Sequence, residues 1–220
     1  AQNVVDSSDA WHLDLSDEAR LAGMPESAKA AAKAEARRAG VDGWRLTLRP
    51  PCYVAVLTYA DDRGLREALY RAYSRRATEG ERANGPLIGQ ILDLRRRKAM
   101  LLGYADISDL LLAPRMVKSG AKARAFVDDL RARSEAAFHA ETEALRAFRA
   151  EQLGDAADTM QPWDVSYWAE KLRQHRFAFD EEALRPYFEV DGVLKGMYAL
   201  VQRLYGVQIT PLDDRPGWHE

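Results

Sequence analysis

The stretch PWDVSYWAEKLRQHRFAFDEEALRPYF, from Pro162 to Phe188, gathers Trp163, Tyr167, Trp168, Phe177, Phe179, Tyr187 and Phe188 into one predicted helix and the turn after it. A surface helix does not concentrate aromatic side chains in this way, because polar residues dominate a wet face. Pro162 suits the first helical position, where its missing N–H costs nothing. Asp164 adds a negative charge in the first turn, where the helix dipole favours it. Val165, Trp168 and Leu172 follow helical spacing and are expected to pack inward. Asp180 can cap a second short helix carrying Glu181 and Glu182 in its first turn, and Pro186 ends it. Helices packed on helices are the expectation.

Upstream of this block the pattern stays helical. Ser119 starts the longest predicted helix, which runs to about Leu153 and stops at Gly154. Its stripe of Phe126, Leu130, Ala137, Phe138, Leu145 and Phe148 is narrow and its other faces are charged, as in an antiparallel helical pair packed on one side. The loop 155–161 joins it to the aromatic block. Leu87, Ile91, Leu94, Lys98 and Leu101 share one face of a helix from Pro86 to Leu102, followed by Gly103 as its stop. Leu65, Leu69 and Tyr73 recur at i, i+4 and i+8 on a helix from about Asp62 to Ala77. Ser108 to Leu112 is helical until Pro114 breaks it. Tyr53 to Tyr59 fits a helix or a strand. Past the aromatic block, Val193 to Tyr205 forms the last clear helix, and Val207 to Ile209 reads as the beginning of a strand.

Two short stretches differ from the rest. Trp11-His-Leu-Asp-Leu15 and Trp44-Arg-Leu-Thr-Leu48 alternate apolar and polar residues, the mark of a strand with one buried face. Between them Ser16 can cap a short helix over Asp17 to Ala22. Pro25 can open an Ala-rich helix to Arg38, with Gly40 as its stop. The strands are expected to pair, with their direction open. The fold class that follows is mainly α: a multi-helix domain with a long hairpin-like helical element and one small two-stranded sheet. Residues 1–50 would form a small α/β segment and 51–220 a helical body, or the two would make one continuous domain.

At 220 residues, 47% hydrophobic and 30% charged, the chain has the composition of a soluble globular protein. A net charge of −2 gives no electrostatic case for nucleic acid or an anionic membrane. The basic run Arg95-Arg96-Arg97-Lys98 reads as a solvated helix face. Cys52 is the only cysteine, so an intrachain disulfide is excluded and a reducing, cytoplasmic compartment fits. Its apolar surroundings predict a buried, inert thiol. No apolar run reaches the length of a membrane span, and AQNVVDSSDA shows no signal-peptide pattern.

Pro-Trp-Asp at 162–164, the aromatic pair Tyr167-Trp168, Leu-Arg at 172–173, Phe-Asp-Glu-Glu at 179–182 and Leu-Arg-Pro-Tyr-Phe at 184–188 form an ordered series. Trp11 to Leu15, Asp17-Glu18, Gly23-Met24-Pro25-Glu26, Thr47-Leu48, Pro51 to Tyr59, Leu94 to Tyr104 and Leu200 to Val207 extend it along the chain. This series resembles the thimet oligopeptidase and oligopeptidase A family of zinc metallopeptidases. The resemblance implies a helical Tyr53 to Tyr59, a parent enzyme that binds zinc, and short peptides as its substrates. It also implies an interior piece, because the family carries a long helical region before the equivalent of Ala1 and its zinc motif beyond the equivalent of Glu220.

That motif, His-Glu-x-x-His on a helix, places two imidazoles on one face to bind zinc and a Glu to take a proton from the metal-bound water. His12, His139, His175 and His219 offer no pair four residues apart, so no catalytic or metal-binding residue carries over. Glu135, His139 and Glu143 do share a helix face at i, i+4 and i+8, but on a charged helix local charge pairing explains that spacing. The aromatic block lies, by resemblance, in the body flanking a deep channel. Trp163, Asp164 and Tyr167 are therefore candidates for lining it, with core or supporting positions as the alternative. The chain alone is expected to bind no zinc and to expose apolar surface that favours self-association. A catalytically inert helical interaction module on the same architecture is the alternative function.

Overall fold

The structure is a computed structural model describing residues 1–154, 158–178, 184 and 186–211. It divides into two compact units, residues 1–176 and 177–220.

The first unit begins with α1 (Gln2–Ala10), a helix that no sequence signal announced: it has no side-chain cap and buries no residue. β1 (His12–Leu15) and β2 (Trp44–Thr47) pair antiparallel, with His12 opposite Thr47 and Leu15 opposite Trp44. Alternation does the expected work here, since Leu15, Trp44 and Leu46 are buried while Asp14 and Arg45 face out and bond bidentately at 2.7 and 2.8 Å. The turn between the expected strands corrects one detail. Asp17, not Ser16, caps a single 3-10 turn over Glu18–Leu21, accepting from the Ala19 N–H at 2.9 Å. Gly43 enters β2 with φ +96°, and a Cβ there would sit 2.1 Å from the Leu15 carbonyl oxygen. Only glycine fits that crossing.

α2 (Glu26–Arg38) follows Pro25 and buries Ala32 and Ala36. α3 (Pro50–Tyr59) starts on a proline pair, whose missing donors suit a first turn, and buries Val56 and Leu57. α4 (Arg63–Ser74) is capped by Asp62, which accepts from the Leu65 N–H at 3.0 Å. Its stripe behaves as the spacing predicts: Leu65 and Leu69 are fully buried, and Tyr73 stacks on Tyr53 with centroids 4.1 Å apart. Strands, α3 and α4 thus share one core, which also takes in Leu21, Met24, Leu48 and, from far along the chain, Trp163.

α5 (Gly85–Leu101), α6 (Ile107–Leu112, capped by Asp106) and α7 (Gly120–Leu153, capped by Ser119 and ended at Gly154) follow in order. The face of α5 carrying Leu87, Ile91, Leu94 and Leu101 is exposed; only Ala99 of that helix is buried. α8 (Pro162–Phe177) folds back along α7, where Leu145, Phe148 and Trp168 form a second small core. Val165 is exposed rather than inward, because the residues that turn in are the adjacent pairs Trp163-Asp164 and Tyr167-Trp168. Spacing alone could not fix which side of that stripe faces the core.

In the second unit, α9 (Val190–Tyr205) ends at Gly206, whose φ of +68° is the left-handed cap. No strand begins at Val207 to Ile209. The short helix expected after Asp180 lies outside the described residues. Among the described residues the chain forms nine α-helices and one small antiparallel sheet, and no helix is long and apolar enough to cross a membrane.

Candidate functional site

Asp164 anchors the best-organised polar cluster of the chain. It stands in the first turn of α8, and its carboxylate reaches back to accept the backbone N–H of Gln161 at 2.9 Å. That is the reciprocal half of a capping box, with the acid satisfying a donor the helix cannot. Two arginines from the start of α4 complete the shell. Arg63 donates from Nε and Nη2 at 2.9 and 2.8 Å, and Arg66 from Nη2 at 3.1 Å.

Asp164 is 0% exposed and Arg66 only 2%, so both need every bond they make. Arg66 spends its remaining donors on carbonyls: Trp163 at 3.1 Å, Ala60 at 2.7 Å and Asp61 at 3.2 Å. Burial alone would push the Asp164 carboxyl up. Bonds from Arg63, the Gln161 N–H and Arg66 outweigh it and hold the group below the usual carboxylate range.

The cluster extends on two sides. Arg63 Nη1 reaches Asp158 at 2.7 Å, and Arg149, near the end of α7, grips both the carboxylate and the carbonyl of Asp158. Those bonds, Arg149 first, lower the Asp158 carboxyl as well. On the other side the Tyr167 ring lies over the Arg66 guanidinium at 4.1 Å. Its hydroxyl donates to Asp61 at 2.8 Å, and Lys171 approaches the same carboxylate at 3.5 Å. Burial, then the bond to Asp61, pushes the Tyr167 hydroxyl up to about 12.

Of the three residues singled out in the sequence, Trp163 and Asp164 are therefore buried and Tyr167 is half-buried. Trp163 packs into the main core, tilted against Tyr70 at 5.9 Å and under Arg71 at 4.8 Å. Its indole N–H is buried and meets no acceptor among the described residues. Arg63, Arg66, Asp61, Arg149 and Asp158 were not foreseen. Arg66 sits on the rim of the Leu65, Leu69 and Tyr73 stripe, which is the one local signal it gave; its partner is 98 positions away.

The arrangement can hold three helices and a loop together and present a tyrosine edge. It contains no nucleophile paired with a base. Among the described residues no group of three or more His, Cys, Asp or Glu side chains is placed to hold a metal. His12 lies on β1, His139 in the middle of α7 and His175 near the end of α8, all three exposed. Glu143 of the face noted on α7 pairs with Arg146 at 2.6 Å. Cys52 is half-buried, its thiol pushed up by burial.

Helical segments from α3 onward match the model of peptidase family M3 over residues 56–220. The chain belongs to peptidase family M3. This M3 chain is similar to oligopeptidase A of Salmonella typhimurium and of Escherichia coli, 39% identical to each over 224 residues that cover 100% of it and 33% of the relative. Organellar oligopeptidase A, chloroplastic/mitochondrial, of Arabidopsis thaliana is 35% identical over 227 residues, 100% of this chain and 29% of that protein. The M3 chain thus spans about a third of the length of the curated relatives it matches.

Proposed function

We propose that this chain is an interior segment of a cytoplasmic, zinc-dependent oligopeptidase that hydrolyses short peptides, and that it supplies scaffold and part of the channel wall. The observation that carries the reading is the match along the whole chain to oligopeptidases three times its length. In this reading the segment's part is mechanical. Trp163 and Asp164 fix the start of α8 against α4, and Tyr167, held between Arg66 and Asp61, offers a half-buried ring edge to an extended peptide.

Zinc, its imidazole ligands and the water-activating Glu belong in this reading to parts of the polypeptide outside residues 1–220. The test compares the full gene product with the 220-residue chain on a quenched fluorogenic peptide. The full product should cleave it, lose activity to a chelator and regain it with zinc. The 220-residue chain should leave it intact and carry no stoichiometric zinc. Turnover by the short chain that survives repurification and tracks its zinc content would overturn the proposal.

A further inference from the structure

We infer that the first two-thirds of α7 is a seat for another helix of the same polypeptide, contributed from outside residues 1–220. The inference rests on the interior-segment reading above. α7 has 34 residues and α8 has 16, or about 51 and 24 Å at helical rise. Contact between them is confined to one end. Phe148 lies 6.2 Å from Trp168 and 5.2 Å from His175, centroid to centroid, and α8 has only two residues left after His175. α7, by contrast, extends 28 residues back from Phe148.

The apolar face does not stop where its cover stops. Leu130 precedes Phe148 by 18 positions, about five turns, and so stands on the same line along the helix. Phe126 and Ala137 flank that line, and Val127 and Phe138 widen it. Every residue from Arg124 to Glu141 is exposed, with Phe126 at 61% and Phe138 at 64%. Phe126, Val127, Leu130 and Phe138 are four large apolar side chains that continue a packed interface and that no described residue buries. Two charge pairs close within the helix, Arg124 to Asp128 and Arg133 to Asp129, while Glu141, eleven positions past Leu130, puts one carboxylate on the line itself. Four large apolar side chains against one carboxylate make apolar shape the main selector, as one helix of a bundle selects another.

A covalently connected helix is the occupant the lengths favour. The relatives matched along this entire chain hold about twice as much polypeptide again outside the matched region. Tethering gives such a helix an effective concentration that a second copy must reach by dilution-sensitive association.

The test uses the full gene product with Cys52→Ser, which keeps an acceptor for the Thr47 N–H, and with every cysteine outside residues 1–220 likewise replaced by serine. Single cysteines replace Leu130 or Phe126 on the seat, and Ala132 on the opposite side. Maleimide labelling is timed in buffer and in urea. The seat cysteines should label at least about tenfold more slowly in buffer, unchanged on hundredfold dilution, while Ala132→Cys labels as fast as in urea. Fast labelling of both seat cysteines in a folded product overturns the seat. Protection that vanishes on dilution identifies a second copy and overturns the tethered helix. The intact mass of the product is measured separately: a mass of 220 residues sinks the interior-segment reading itself, and the tethered helix with it.

Discussion

Replacing Asp164 by alanine is the sharpest perturbation of the α4–α8 junction. It leaves Arg66, 2% exposed, bonded to three carbonyls but without its anion. Arg63 has 39% of its side chain exposed and regains water, so its lost pair contributes little. The Gln161 N–H loses its acceptor. Breaking a buried ion pair from one side costs about 3–5 kcal/mol, chiefly the uncompensated charge left behind. For a chain of this size that lowers Tm by about 6–20 °C. Asp164→Asn, which keeps an acceptor but no charge, should lose about 2 kcal/mol. Adding Arg66→Met to Asp164→Ala should restore part of the loss, because the stranded cation is gone. Urea melts of the four proteins followed by circular dichroism measure all of this. A loss below about 1 kcal/mol for Asp164→Ala, or a double variant less stable than the single one, would refute the reasoning.

The same junction sets a pH dependence. Their arginine partners hold the Asp164 and Asp158 carboxyls below the usual carboxylate range in the folded chain, so the unfolded chain binds more protons as pH falls below about 4. Stability should be full above that point and fall progressively beneath it, which acid titration of Tm would show. At the alkaline end Tyr167 stays protonated to about 12 in the folded chain; stability should decline from about pH 10 upward, and Tyr167→Phe should remove that part of the decline. Leu69→Ala, at a fully buried site, should cost about 2–5 kcal/mol. Gly43→Ala should destabilise markedly more than Gly40→Ala in paired melts, since both have positive φ but only the first drives a Cβ onto a backbone oxygen.

What was legible in the sequence was whatever a few neighbouring residues decide. Alternation placed both strands within one residue, and Ser119 and Gly154 bounded α7 as read. The Leu65 and Leu69 stripe pointed to the core because the burial it implies is a property of one helix face. α1 escaped notice because it buries nothing and has no cap. The apolar face of α5 was recognised but not its exposure, since periodicity says which residues share a face and not whether anything lies against it. Asp164 was picked out for its place in a first turn. Its meaning depends on Arg63 and Arg66, brought to it by the packing of Trp163 beside Leu65 and Leu69, and no local pattern encodes a meeting across that distance.

The Arg66–Asp164 contact also has a topological side. By joining positions 98 apart, together with the Arg63–Asp164 and Tyr167–Asp61 bonds, it pinches the chain from the first turn of α4 to the start of α8 into a long excursion closed by one clasp of side chains. Closing such a loop depends only weakly on its length, about 0.6 kcal/mol for each doubling. Residues could be added to or removed from its exposed turns, between Thr78 and Asn84 for instance, while the main core and the clasp keep their geometry. The same clasp makes folding wait, because its two halves must find each other after the excursion has been made. The part of the chain that tolerates changes in length and the step that is slow to form thus meet at the cluster around one buried carboxylate.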